Sequence, residues 1–95
     1  MIKSSSNKNL EIFITEVVFS TGESTKQISY EEVGLPSDAK VLNIQCGISS
    51  NDGNTFPVIQ AYPMSNTIYI LLGLNNNSYV VKNTLGAYVV IIYKL

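Results

Sequence analysis

Six consecutive residues near the end of the chain, Tyr88, Val89, Val90, Ile91, Ile92 and Tyr93, are β-branched or aromatic, and no other feature restricts the fold as tightly. Such side chains suit a pleated strand, and the run is far short of the roughly 20 residues that cross a bilayer as a helix. In a strand over Gly86 to Leu95, Ala87, Val89, Ile91, Tyr93 and Leu95 face one side, and Tyr88, Val90, Ile92 and Lys94 the other. Both faces are largely apolar. The strand therefore requires protein on each, which places it in the middle of a sandwich or against another subunit.

The remaining segments follow the same period. Leu10 to Phe19 is too rich in β-branched and aromatic residues for a helix and ends before Gly22; Lys26 to Tyr30 can pair next. Gly34 and Pro36 break the ladder, with room for one helical turn over Glu31 to Leu35. Lys40 to Ser49 alternates cleanly, with Leu42, Ile44, Cys46 and Ile48 on one face and Asn43, Gln45 and Gly47 on the other. The turn residues Ser50 to Asn54 predict a hairpin with a returning strand over Thr55 to Tyr62, which Pro57 and Pro63 confine to a sheet edge or a bulge. Thr67 to Leu74 is a further strand, the Asn75-Asn76-Asn77-Ser78 turn follows, Tyr79 to Lys82 returns, and Asn83 to Gly86 leads into the terminal strand. Turn signals at this spacing predict an all-β fold, an antiparallel sandwich of jelly-roll or immunoglobulin-like type with about seven strands. Residues 10–95 form one domain, because 95 residues bury a single modest core, and polar residues 1–9 read as a flexible or partner-bound arm.

Composition narrows the chemistry. The chain has no histidine, so Ser-His-Asp and Cys-His nucleophiles are excluded, and the single Cys46 removes the usual zinc sites and any internal disulfide. Cys46 shares parity with Leu42, Ile44 and Ile48 and reads as a small buried hydrophobe. The adjacent Glu31 and Glu32 diverge, unlike a glycosidase pair, and the other acids fall at strand ends or in turns as solvated charges. No catalytic residue, cofactor or metal is therefore expected; Gly53 between Asp52 and Asn54 has an adequate reason as a turn residue without calcium. Six lysines and no arginine against seven acids give nothing that attracts a polyanion, so nucleic acid is not an expected partner, and no membrane insertion is expected either. Ser, Thr and Asn together number 27 of 95, which makes a surface of hydroxyls and amides, as in extracellular β-proteins and virion parts.

Two apolar stripes exceed what one small sandwich covers. Tyr88, Val90 and Ile92 on the terminal strand, with Tyr69 and Leu71, are the candidate oligomer interface. Asn51, Asp52, Asn54, Asn75, Asn76, Asn77 and Tyr79 are the candidate recognition surface, since amides beside aromatic rings suit a sugar; the tyrosines equally suit packing across strands.

The run Tyr30-Glu31-Glu32-Val33-Gly34-Leu35-Pro36-Ser37-Asp38-Ala39-Lys40-Val41-Leu42-Asn43-Ile44, followed by the expected hairpin and a last strand ending Tyr93-Lys94-Leu95, resembles the β-sandwich heads of tailed-phage fibres, head fibres and capsid decoration proteins. The resemblance covers Tyr30 to Leu95. It implies a non-enzymatic virion structural protein, assembled in the host cytoplasm as a homo-oligomer, a trimer in those families, beside other virion proteins and with loops toward a host-surface glycan. No shaft, collagen-like repeat or heptad segment is present, so the chain reads as a short fibre-head or decoration protein or as an excised terminal domain. It transfers no binding residue. The rival expectations are a monomeric carbohydrate-binding module or lectin-like adhesion domain, and an immunoglobulin-like surface domain of bacterial origin.

Overall fold

The computed structural model describes residues 10–51 and 55–95. The arm expected over residues 1–9, and Asp52 and Asn54 of the recognition set, lie outside them. In chain order the elements are β1 (Leu10–Phe19), β2 (Thr25–Ser29), α1 (Tyr30–Val33), β3 (Lys40–Asn51), β4 (Val58–Met64), β5 (Thr67–Leu74), β6 (Asn77–Ser78) and β7 (Leu85–Lys94). They form an all-β sandwich of two antiparallel sheets. One has the order β1-β7-β3; the other has the order β2-β5-β4, with β6 also paired to β5.

Each sheet is built around its most apolar strand. β7 pairs along its whole length with β1, from Leu10 opposite Lys94 to Phe19 opposite Leu85. Its other edge carries β3, from Lys40 opposite Lys94 to Asn51 opposite Leu85. β5 takes β2 on one edge and β4 on the other. The inward set of β7, Leu85, Ala87, Val89 and Ile91, is at most 1% exposed and meets Ile68, Ile70 and Leu72 of β5 in the same buried cluster, which Val17, Phe19, Tyr30, Leu35 and Val81 complete. Half of the requirement read from the terminal strand is thus met inside the chain: β7 is central and its inward face is covered.

α1 is a single turn because its ends are fixed locally. The Ser29 hydroxyl accepts from the Glu32 amide at 3.1 Å while the Glu32 carboxylate accepts from the Ser29 amide at 3.0 Å, a reciprocal capping box. The Ser29 amide, and after it the Ser29 hydroxyl, which lies 3.1 Å from the same carboxylate oxygen, hold the Glu32 carboxyl below its ordinary pKa. Gly34 then takes φ 85°, a left-handed angle that ends the helix. The turn tucks Tyr30 and Leu35 under the second sheet, and the Tyr30 amide donates to Asn66 O at 2.9 Å.

Three expectations are corrected. β3 and β4 form no hairpin ladder: β3 pairs with β7 and β4 with β5, so the chain changes sheets between Asn51 and Val58. The long apolar β7 offers β3 a full-length neighbour, and Pro57, buried just ahead of β4, has no amide to donate. Leu42 does not share the inward face of Ile44, Cys46 and Ile48. A register shift between Val41 and Asn43 turns it outward, 56% exposed, and Val41 takes the inward place. The return after the Asn turn is shorter and earlier than Tyr79 to Lys82: β6 is Asn77–Ser78, and beyond it the Val81 amide donates to Glu23 O and Val81 O accepts from the Gly22 amide, both at 2.8 Å. The β1–β2 loop competes successfully for the amides that a longer β6 would have used. Pro63 lies in β4 at the edge of its sheet, where a missing donor costs nothing.

Replacing Ile91 with aspartate puts an unpaired charge into the centre of the cluster and is expected to cost several kcal/mol, read as loss of the cooperative melt or of soluble protein. Ser29→Ala removes one helix cap and is expected to cost about 1 kcal/mol in chemical unfolding. Because the Glu32 pKa is lowered, its share of stability is present above the ordinary carboxylate pKa and fades as pH falls through the lowered one.

Candidate functional site

The outer face of the first sheet is built on the even residues of β7. Tyr88, Val90 and Ile92 stand there, opposite Glu16, Ile14 and Ile12 of β1 and opposite Gly47, Gln45 and Asn43 of β3. Alternation along β1 sends Phe13, Val17 and Phe19 inward and Ile12, Ile14 and Val18 outward, and no described residue covers the outward set: Ile12 is 66% and Ile14 67% exposed. Leu42, turned out by its bulge, stands open on the same sheet.

Two glycines shape this face. A methyl group at Gly47 would come within 2.6 Å of the Tyr88 ring, so the ring lies over β3 at that residue instead of standing up. A methyl group at Gly86 would meet the Ser50 hydroxyl at 2.6 Å and the Ser49 hydroxyl at 3.2 Å, and across that bare position Ser49 donates to the Glu16 carboxylate at 3.0 Å. The outcome is a low surface, apolar over β1 and β7 and lined with amides along β3. Glu16 lies toward one end, and Lys40 faces Lys94 at the other.

Tyr69 and Leu71 do not join this face. They lie on the outside of the second sheet, where Tyr69 stacks on Tyr62 with ring centroids 5.3 Å apart and planes 11° from parallel, and Leu71 stands opposite Gln60 and Thr25. The five interface candidates therefore fall on opposite sides of the sandwich. Beside Leu71 an open groove of about 430 Å³ runs between β4 and the β5–β6 hairpin, lined by Val58, Gln60, Leu71 and Asn75 to Ser78. Asn75 and Asn76 have φ of 52° and 68°, so the turn itself requires residues that tolerate left-handed angles. Asn77 donates from its amide side chain to Asn75 O at 3.3 Å. Tyr79 is half-buried against the core. Asn51 ends β3 in the other sheet, its side-chain amide donating to Thr55 O.

Three carboxylates, Glu16, Glu23 and Glu32, have local partners. Glu23 accepts from the Ser20 amide at 2.6 Å and pairs with Lys26 at 3.1 Å, which hold its pKa below the ordinary value, the backbone bond first. Cys46 lies between the sheets, its thiol 3.7 Å from Ile59 O, and burial pushes its pKa up. Among the described residues no three His, Cys, Asp or Glu side chains group as a metal site, and no helix is long and apolar enough to cross a membrane. Sequence reasoning missed Ile12, Ile14, Val18 and Leu42 as parts of a surface. Ile12, Ile14 and Val18 lie on one parity of β1, but its pairing with β7, more than 60 residues away, was not visible, nor was the bulge that turns Leu42 outward.

Gly47→Ala is expected to lift the Tyr88 ring from β3 at a cost of about 1–2 kcal/mol, read as a lower melting temperature with a changed near-ultraviolet tyrosine signal and an unchanged far-ultraviolet spectrum.

No family model matches the chain, and the comparisons with curated proteins and with solved structures likewise find no match.

Proposed function

We propose that the chain is a non-enzymatic structural component of a phage virion, a fibre-head or capsid decoration domain that acts by self-assembly and by contact with other virion proteins or a host surface. The observation that carries the reading is the open apolar face of the first sheet: two isoleucines of β1 stand about two-thirds in water beside Tyr88, Val90 and Ile92. A fully buried isoleucine contributes about 1.5–3 kcal/mol. Leaving several uncovered in one patch is what a surface destined for another protein does. The virion setting comes from the resemblance over Tyr30 to Leu95, which also implies three copies. Glu16, Glu23 and Glu32, each bonded to a nearby hydroxyl, amide or lysine, support a role without catalysis.

A second reading, a carbohydrate-binding module, rests on the Tyr62–Tyr69 stack and the amide-rimmed groove beside it. Absolute mass in solution, by light scattering behind a sizing column over a hundredfold dilution, separates the two. An assembly of two or more chains that persists through the dilution supports the structural reading. A monomer throughout overturns it, and glycan binding abolished by Tyr62→Ala would then establish the other.

A further inference from the structure

We infer that the outer face of the β1-β7-β3 sheet is a self-complementary surface on which a second copy of this chain packs face to face, the two related by a two-fold axis that lies between the sheets and runs across the strands. The inference rests on the self-assembly proposed above and gives it a site and a symmetry.

Two features point to a second copy. The first is charge placement. On the outward parity of the sheet, Glu16 stands opposite Tyr88, and Lys94 stands opposite Leu10 and Lys40. Six residues of β1 separate the two levels, roughly 20 Å at about 3.3 Å per residue. A two-fold axis crossing the strands midway, near the level of Phe13 and Ile91, reverses strand direction in the copy. It sets the Glu16 end of each copy against the lysine end of the other, and does so twice. The apolar residues occupy the middle: Ile12 of one copy meets Ile14 of the other, and Val90 meets Ile92. Apolar centre and charged ends are the usual layout of a specific interface.

The second feature is shape. Tyr88 lies over Gly47 and the Gly86 position is bare, so the face has no ridge along β7 to hold a flat partner away.

A threefold ring fits this geometry less well. A ring needs two different patches on each copy. The other apolar set, Tyr69 with Leu71, lies on the far side of the sandwich, and joining opposite faces head to tail stacks subunits in a row instead of closing three.

The test combines absolute mass with four variants of the full chain, folding being checked by far-ultraviolet circular dichroism. Ile14 is solvent-exposed, so Ile14→Glu leaves the fold intact and is expected to weaken association by about 100-fold or more. Glu16→Lys is expected to weaken it by about tenfold, and adding Lys40→Glu and Lys94→Glu to that change is expected to restore it. A dimer showing all three responses establishes the pairing. A parent chain that stays monomeric overturns both this inference and the self-assembly on which it rests. An assembly that ignores Ile14→Glu but dissociates with Leu71→Glu, or one of three chains, overturns the face pairing and leaves self-assembly standing. A dimer lost with Ile14→Glu but not restored by the charge exchange overturns the two-fold arrangement.

Discussion

The structure depends on β7 being hydrogen-bonded on both edges. An isolated strand of ten residues has no stability of its own, and here two partners of ten and twelve residues satisfy its amides and carbonyls along its full length. With the backbone settled, its odd side chains converge on Ile68, Ile70 and Leu72 of β5 and exclude water. β5 is the counterpart in the second sheet, held between β2 and β4. Loops and turns are secondary to this pair of central strands. The capping box of α1, for example, brings Tyr30 and Leu35 to an existing core rather than making one.

The same placement creates the exposed face. β7 is apolar on both sides, but a two-layer sandwich covers only one side of each sheet. Its even residues could have been polar without any loss to the core. Instead Tyr88, Val90 and Ile92 sit beside Ile12 and Ile14, so the core formed by the described residues does not account for the hydrophobicity of the outer side. The second sheet differs. Its outer face interleaves Gln27, Gln60 and Thr25 with Val58, Leu71, Met64 and the Tyr62–Tyr69 stack, so polar side chains break up its apolar ones.

What was legible in the sequence was local. β1 has the bounds its β-branched and aromatic run suggests and β5 those of its alternation, and the single helical turn lies where Gly34 and Pro36 end a ladder. Pro57 and Pro63 announced an edge strand or a bulge, and β4 lies at an edge. What was not legible was which strands pair. Ser50 to Asn54 carries the composition of a hairpin turn, yet β3 found a better neighbour in β7, whose long β-branched run lies far off in sequence. The bulge that exposes Leu42 has no signature of its own, since it arises from fitting twelve residues of β3 to ten of β7. The same blindness hid half of the candidate face. Tyr88, Val90 and Ile92 were evident from one strand, whereas Ile12 and Ile14 joined them only once β1 was known to lie alongside.

Edges give a further reason to look at the face first. β3 is blunted by two register shifts, β4 carries Pro63, and β2 is only five residues long, all devices that discourage strand addition. β1 is the least protected, an unbroken edge of ten residues with Glu11 and Glu16 as its charges. Two copies could pair through it and extend the sheet, satisfying main-chain groups that water already satisfies. Such a pairing would leave Ile12, Ile14 and Tyr88 exposed, because edge contact adds strands in the plane of the sheet and covers neither face. Backbone bonds exchanged for bonds to water contribute little net, while apolar area removed from water contributes in proportion to its size. The balance favours contact across the face over contact along the edge.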